Sequence, residues 1–221
     1  MKRGSASKLV VDGQHIAPRR RAEFEDTVAS VGNPIVIRAA RRANVDGMII
    51  TDRLHLRHCR RADVDAVLAY RSRPDVARHL SAGVWTREKT KLNLAAYEDA
   101  LFSGVGDELV LLVETLAGAK VIGEVGLVWL DSETMTAEVG YVFNPESGGY
   151  GFATEAVAAV IRIAFDSLGF STMVATTDED NLPSRALCER LGMRLTVVKP
   201  AEDRRDVQEC VYTVDNPNSA R

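Results

Sequence analysis

From Ile49 onward the chain moves between two rhythms of apolar residues, one of period two and one of period 3.6. Leu54-His55-Leu56 alternates as a half-buried strand does. Asp63 is placed to cap a helix whose apolar positions Val64, Val67 and Leu68 recur at helical spacing, with Pro74 closing it. Thr86 opens a second helix that carries Leu92, Leu94, Tyr97 and Leu101. Two strands follow, Glu108 to Glu114 and Lys120 to Trp129, parted by a hairpin-like break at Gly118. Asp131-Ser132-Glu133 then turns the chain into a strand from Ala137 to Phe143.

The clearest helix begins after Gly151, where Val157, Val160, Ile161, Ala164, Phe165 and Leu168 share one face and Gly169 marks the stop. A strand from Met173 to Thr177 comes next, then a short helix from Pro183 to Leu191 stopped by Gly192. Arg194 to Val198 and Val207 to Val214 make a closing strand pair. The order, a β-meander first and β-α-β-α afterwards, predicts an α/β (α+β) fold without internal repeats.

Residues 1–47 break this regularity. They hold nine Lys and Arg against five Asp and Glu, and their one short apolar stretch is Pro34-Ile35-Val36-Ile37. The reading is a basic, solvated N-terminal extension, with a nucleic-acid arm or a transit peptide as the sharper alternatives. Glu23, Glu25 and Asp26 count against a transit peptide. The organised domain is expected over 48–214, with a tail at 215–221.

Composition narrows the class. With 221 residues, 46% hydrophobic and 27% charged, the chain is long enough for one substantial globular domain. A formal net charge of −3 gives no reason to expect nucleic acid or an anionic membrane as partner. Cys59, Cys188 and Cys210 lie far apart with no metal-ligand spacing, so neither a disulfide framework nor a metal site is expected. No apolar run has the length of a membrane span, and no apolar segment follows Lys2-Arg3 as in a secretory signal. A cytoplasmic protein is the expectation.

The chemistry concentrates between Tyr141 and Ala156. A strand runs through Tyr141, Val142 and Phe143 into a loop holding Gly148, Gly149, Tyr150 and Gly151, and the loop opens directly into the strong helix at Phe152, Ala153 and Thr154. Free amides and the helix dipole at such a start attract anions, and glycines let a phosphate come close. The loop has no Gly-Lys-Ser/Thr, and Thr154 stands where the dinucleotide fingerprint needs its third glycine. On the glycines alone, a tight strand-to-helix turn explains the loop equally well.

Several motifs in register change that balance. Gly149-Tyr150-Gly151, the continuation Phe152-Ala153-Thr154-Glu155-Ala156, the strand Ala137-Glu138-Val139-Gly140-Tyr141-Val142, and downstream Asn181-Leu182-Pro183-Ser184 with Glu189-Arg190-Leu191-Gly192-Met193 resemble the GNAT acetyltransferase superfamily. Within it they are most similar to the branch that acetylates ribosomal-protein N-termini and related amines, and the resemblance runs from Ile49 to Thr213. It implies a mixed, mostly antiparallel sheet flanked by helices, acetyl-CoA as donor, and transfer to a primary amine through a tetrahedral intermediate. The acceptor is then a protein N-terminus or a small amine such as a polyamine, an amino acid or an antibiotic. Many relatives are homodimers. The sequence departs from the pattern in two places: Glu146 stands where Arg or Gln is usual, and Cys188 where other branches place a tyrosine acid.

The resemblance implies cofactor contacts at Tyr141, Val142, Phe143, Gly148, Gly149, Tyr150, Gly151, Phe152, Ala153, Thr154, Asn181 and Ser184, with an oxyanion donor amide near Val142 or Phe143. An alkylammonium of pKa about 10.4 must lose a proton before it attacks, which calls for a base. Glu138, a carboxylate in an otherwise apolar strand running toward the loop, is the candidate, and Glu124 its competitor. Either is equally readable as an outward-facing strand carboxylate. Ser184 is the candidate acid or a helix-cap hydroxyl, and Asn181 a pantetheine contact or a turn residue. Glu155 reads as a partner for first-turn amides. His55, His58 and His79 read as surface or packing residues, and Trp85, Trp129 and Cys188 as apolar filling. A second function class stays open: an acyl-CoA-binding regulatory module of the same fold with weak catalysis, to which Glu146 lends support. A plain nucleotide-binding protein ranks behind both.

Overall fold

The structure is a computed structural model that describes residues 49–219 except Asp203 and Arg205. The expected arm over 1–47, including Pro34 to Ile37, lies outside the described residues.

Eight strands form one sheet: β1 (Ile49–Ile50), β2 (Leu54–His58), β3 (Glu108–Thr115), β4 (Val121–Asp131), β5 (Thr136–Phe143), β6 (Thr172–Asp178), β7 (Arg194–Pro200) and β8 (Gln208–Asp215). Their order is β1-β2-β3-β4-β5-β6-β8-β7. Every neighbour is antiparallel except β5 and β6, which run parallel. The expected mixed, mostly antiparallel sheet is what the chain forms.

The helices are α1 (Val64–Arg71), α2 (Pro74–Ala77), α3 (Arg87–Asp99), α4 (Phe152–Asp166) and α5 (Leu182–Arg190). α4 and α5 pack on one face of the sheet, α1 and α3 on the other. In α4, Val157, Val160 and Ile161 are buried against Leu127, Val139 and their neighbours. Each such side chain contributes roughly 1.5–3 kcal/mol when removed from water. That outweighs the helix propensity a β-branched residue gives up, about 0.5 kcal/mol.

Three local expectations are corrected. Pro74 does not simply close α1; it occupies the first turn of α2, where its missing N–H costs nothing. Asp63 precedes α1 but makes no side-chain cap, because Arg57 holds both its oxygens at 2.8 Å. Leu92 and Leu101 face solvent at 68% and 67% exposure, and Leu94 and Thr90 supply the buried side of α3. The cap at Thr86 is as expected, its Oγ1 accepting from the Lys89 amide at 3.2 Å.

Sheet alternation sorts the site. On β3, β4 and β5 the odd members Leu109, Leu111, Val125, Leu127, Ala137 and Val139 enter the α4 core. Val110, Leu112 and Val142 enter the α1/α3 core with Tyr70, Trp85 and Leu94. Glu108, Glu124 and Glu138 share that second face by parity. Gly123 is required where β4 passes β5, since a Cβ there would lie 2.5 Å from the Val142 carbonyl oxygen.

Candidate functional site

β5 and β6 pair over only three rungs, Thr136↔Thr172, Ala137↔Met173 and Glu138↔Val174. Beyond them both strands continue, β5 to Phe143 beside β4 and β6 to Asp178 beside β8, without pairing to each other. A wedge therefore opens in the sheet. The Asn144 amide donates to the Ile122 carbonyl of β4 at 2.8 Å, and the β4–β5 register is unbroken from Phe143 to Ala137. Strand alternation then turns the amides of Tyr141 and Phe143 into the wedge and that of Val142 toward β4. Of the two positions expected to supply a wedge donor, only Phe143 has the right direction.

The wide end of the wedge leads into the glycine loop. Gly149 and Gly151 take φ of 82° and 78°, the left-handed region in which glycine is unstrained, and a Cβ on Gly149 would meet nothing within 4 Å. The loop before α4 is thus open at Gly149, and at Gly151 the group nearest a Cβ would be the Arg53 guanidinium, at 3.7 Å. Glu146 turns away from it: its side chain is 64% exposed and pairs with Arg73 at 3.3 Å. Arg53, far off in sequence, lies against this loop. It donates to the Tyr150 carbonyl at 2.9 Å and its guanidinium stacks 4.7 Å from the Phe152 ring centroid. Glu155 does not serve first-turn amides. It accepts from Thr51 Oγ1 at 2.6 Å and from the Arg53 amide and Nε at 3.0 and 2.7 Å, clamping the β1–β2 turn to α4. Burial would raise its carboxyl, but these bonds together hold it below the usual range.

Across the wedge, the Asn181 side chain caps α5 by accepting from the Ser184 amide at 3.3 Å. Asn181 rather than Ser184 is the cap, which leaves the Ser184 hydroxyl to meet the Tyr141 hydroxyl at 2.8 Å. The same phenol lies 3.6 Å from Cys188 Sγ. Burial, first, raises the phenol well above its ordinary value, so Tyr141 stays protonated near neutrality. Burial likewise raises the Cys188 thiol and leaves it a small apolar group.

On the α1/α3 face the wedge joins a cavity of about 910 Å³, its open mouth included. Arg71, Glu108, Glu124, Glu138, Asp178 and Glu209 all border it. The buried Glu124 accepts from the Tyr70 hydroxyl at 2.5 Å and from Arg71 Nε at 3.0 Å, and the Arg71 guanidinium stacks 4.5 Å from the Trp85 ring centroid. Glu138 is 3% exposed and sits at the last rung before the wedge. Asp178 is held by Arg204 at 2.7 and 2.5 Å and by His79 Nδ1 at 3.1 Å. His79, Asp178 and Asp180 bring three possible metal ligands together, but Arg204 already supplies Asp178 with a cation.

The Acetyltransferase (GNAT) domain family matches residues 53–194 of this sequence. The chain belongs to the GNAT acetyltransferase family. It is 30% identical over 149 residues to the uncharacterized N-acetyltransferase YnaD of Bacillus subtilis (strain 168), a match covering 66% of this chain and 82% of YnaD. The GNAT-family acetyltransferase structure from Bacillus anthracis superposes with a TM-score of 0.69 at 26% identity, covering 76% of this chain and 98% of that one. RimL, a ribosomal alpha-N-protein acetyltransferase in complex with coenzyme A, shares the fold at a TM-score of 0.64 and 15% identity, over 76% and 97% of the two chains.

In this GNAT domain the structure brings Tyr141, Val142, Phe143, Asn181 and Ser184 to the two walls of the wedge and Gly148 to Thr154 to its mouth. Among the described residues no helix is long and apolar enough to cross a membrane. Sequence reasoning passed over Arg53, Arg71 and Glu108. Arg71 ends a helix and Glu108 starts a strand, where an isolated sequence reads them as solvated. The signal that could have found Glu108 is its parity with Gly126 and Glu124 across adjacent strands.

Proposed function

We propose that this protein transfers an acetyl group from acetyl-CoA to a primary amine. The observation that carries the reading is the wedge between β5 and β6. It has inward-facing amides on the β5 wall, a Tyr141–Ser184 hydroxyl pair bridging that wall to α5, and a glycine loop at its mouth. Membership of the GNAT family, and the coenzyme A held by the RimL neighbour, support acetyl-CoA as the donor.

The α4 start, with Gly149 and Gly151, suits the donor's phosphates. The Tyr141 and Phe143 amides suit its extended arm and the thioester oxygen that turns anionic on attack. Glu138 accepts the proton that the ammonium must lose. Glu124, one strand further from the wedge, is held by Arg71 and Tyr70, whereas Glu138 stands on β5 at the last rung before the wedge opens. Ser184, bonded to the protonated Tyr141, hands a proton to the departing sulfur, a light task for a thiol of pKa about 8.5.

Calorimetric titration with acetyl-CoA, with ATP and NAD as controls, followed by thiol release across an amine panel, tests this. Saturable binding of acetyl-CoA alone with amine-dependent thiol release is expected, and Glu138→Gln should lower kcat by about 100-fold or more. Binding without release from any amine would leave an acyl-CoA-binding module, and no binding would remove the enzyme reading.

A further inference from the structure

The acceptor cavity has one acidic wall that its own cations leave open. Glu124 is bound by Arg71, and Asp178 and Glu209 by Arg204. Glu108 also borders the cavity, yet among the described residues its carboxylate makes no hydrogen bond and no ion pair. Burial, then the charge of Glu124, push its carboxyl up to about 7, with Arg71 opposing.

The register says what Glu108 overlooks. Glu108, Val128 and Glu138 form one row across β3, β4 and β5. The next row is Val110, Gly126 and Gly140, so β4 and β5 contribute no side chain there. The cavity floor is bare backbone between Glu108 and the wedge. Glu108 Oε1 hangs over that floor, 3.7 Å from where a Gly126 Cβ would stand. The Glu108 backbone lies two strand spacings, about 10 Å, from β5, but its carboxylate reaches over β4 and so stands about one spacing, about 5 Å, from β5. That separation suits a second charged group a few carbons along the chain of an amine that attacks in the wedge.

We propose that Glu108 selects aliphatic di- and polyamines as acceptors, by pairing with a second ammonium group while the first reacts in the wedge. This rests on the acetyl-transfer reading and specifies its substrate class. Arg71 attracts Glu108 only at a distance, and a second ammonium supplies the direct ion-pair partner that Glu108 lacks among the described residues. A chain ending in a carboxylate would meet repulsion, and one ending in a methyl group would leave the carboxylate unpaired in a partly buried place.

The test compares putrescine, n-butylamine and γ-aminobutyrate as acceptors, at a pH one unit above neutrality, in the full-length protein. The expected kcat/KM ratio of putrescine to n-butylamine is about tenfold or more in the wild type. Glu108→Gln should bring that ratio close to one, Glu108→Asp should restore part of it, and Glu133→Gln, on a distant exposed turn, should keep it. Acetyl-CoA calorimetry on each variant shows that the fold and donor site survive. A wild-type ratio near one, a preference for γ-aminobutyrate, or an unchanged ratio in Glu108→Gln overturns the proposal while acetyl transfer stands. Absence of acetyl-CoA binding, or of thiol release with every amine, overturns acetyl transfer and this proposal together.

Discussion

Glu108 is held in a place that favours its proton, and that has a cost in stability. Its carboxyl rises from 4.5 to about 7 on folding, because burial and Glu124 both disfavour the charge. The folded chain therefore keeps a proton that the unfolded chain releases at lower pH. The stabilisation is fully present below pH 4.5 and is lost as pH rises to about 7. Glu108→Gln should match the wild type below that window and be more stable above it, by on the order of 2 kcal/mol. Thermal unfolding of both proteins across the window measures this, and equal Tm values above pH 7 would refute it. At this scale the sequence said little. Glu138 and Glu124 stand out because they interrupt apolar strands, whereas Glu108 and Arg71 sit at element ends, where charge is ordinary. Only the strand register turns Glu108 inward. Glu155 reads as a helix-start acid, and it is Arg53, about a hundred residues earlier, that claims it.

Among the elements, α5 shows how a cap positions a reacting group. Asn181 accepts from the Ser184 amide, and the helix so started carries the Ser184 hydroxyl to Tyr141. Asn181→Ala should cost about 1 kcal/mol, and so lower Tm by about 2–4 °C. It should also raise the KM for acetyl-CoA, whereas Asn181→Asp should recover most of the Tm. A Tm loss with unchanged KM would make the cap purely structural. The elements themselves were legible because periodicity survives without tertiary context: every expected strand and the α4 stripe appear within a few residues of their expected ends. The failures have tertiary causes. Arg57 withdraws Asp63 from capping, and Pro74 opens a short helix whose Ala77 is buried.

At the level of the molecule, three rungs between β5 and β6 are the only strand pairing that joins β1–β5 to β6–β8 among the described residues. The amides of Tyr141 and Phe143 face the gap beyond those rungs. Saturating acetyl-CoA should slow hydrogen exchange at these two amides by about tenfold or more, with little change in β2 and β3. Equal slowing throughout the sheet would place the donor elsewhere. The segment from Tyr141 to Thr154 was readable as strand, loop and helix. The wedge itself was not, because a pairing that stops after three residues leaves no trace in hydrophobic period.

The alternation of β3, β4 and β5 also has a bearing on descent. One set of side chains holds the α4 core, and the interleaved set, with its bare glycines, borders the cavity. Substitutions at Glu108, Gly126 and Gly140, members of the second set that border the cavity without entering the α1/α3 core, can alter which molecules are admitted while the other members go on specifying the architecture. Lineages built on this frame are free to diverge in diet without having to reinvent their skeleton.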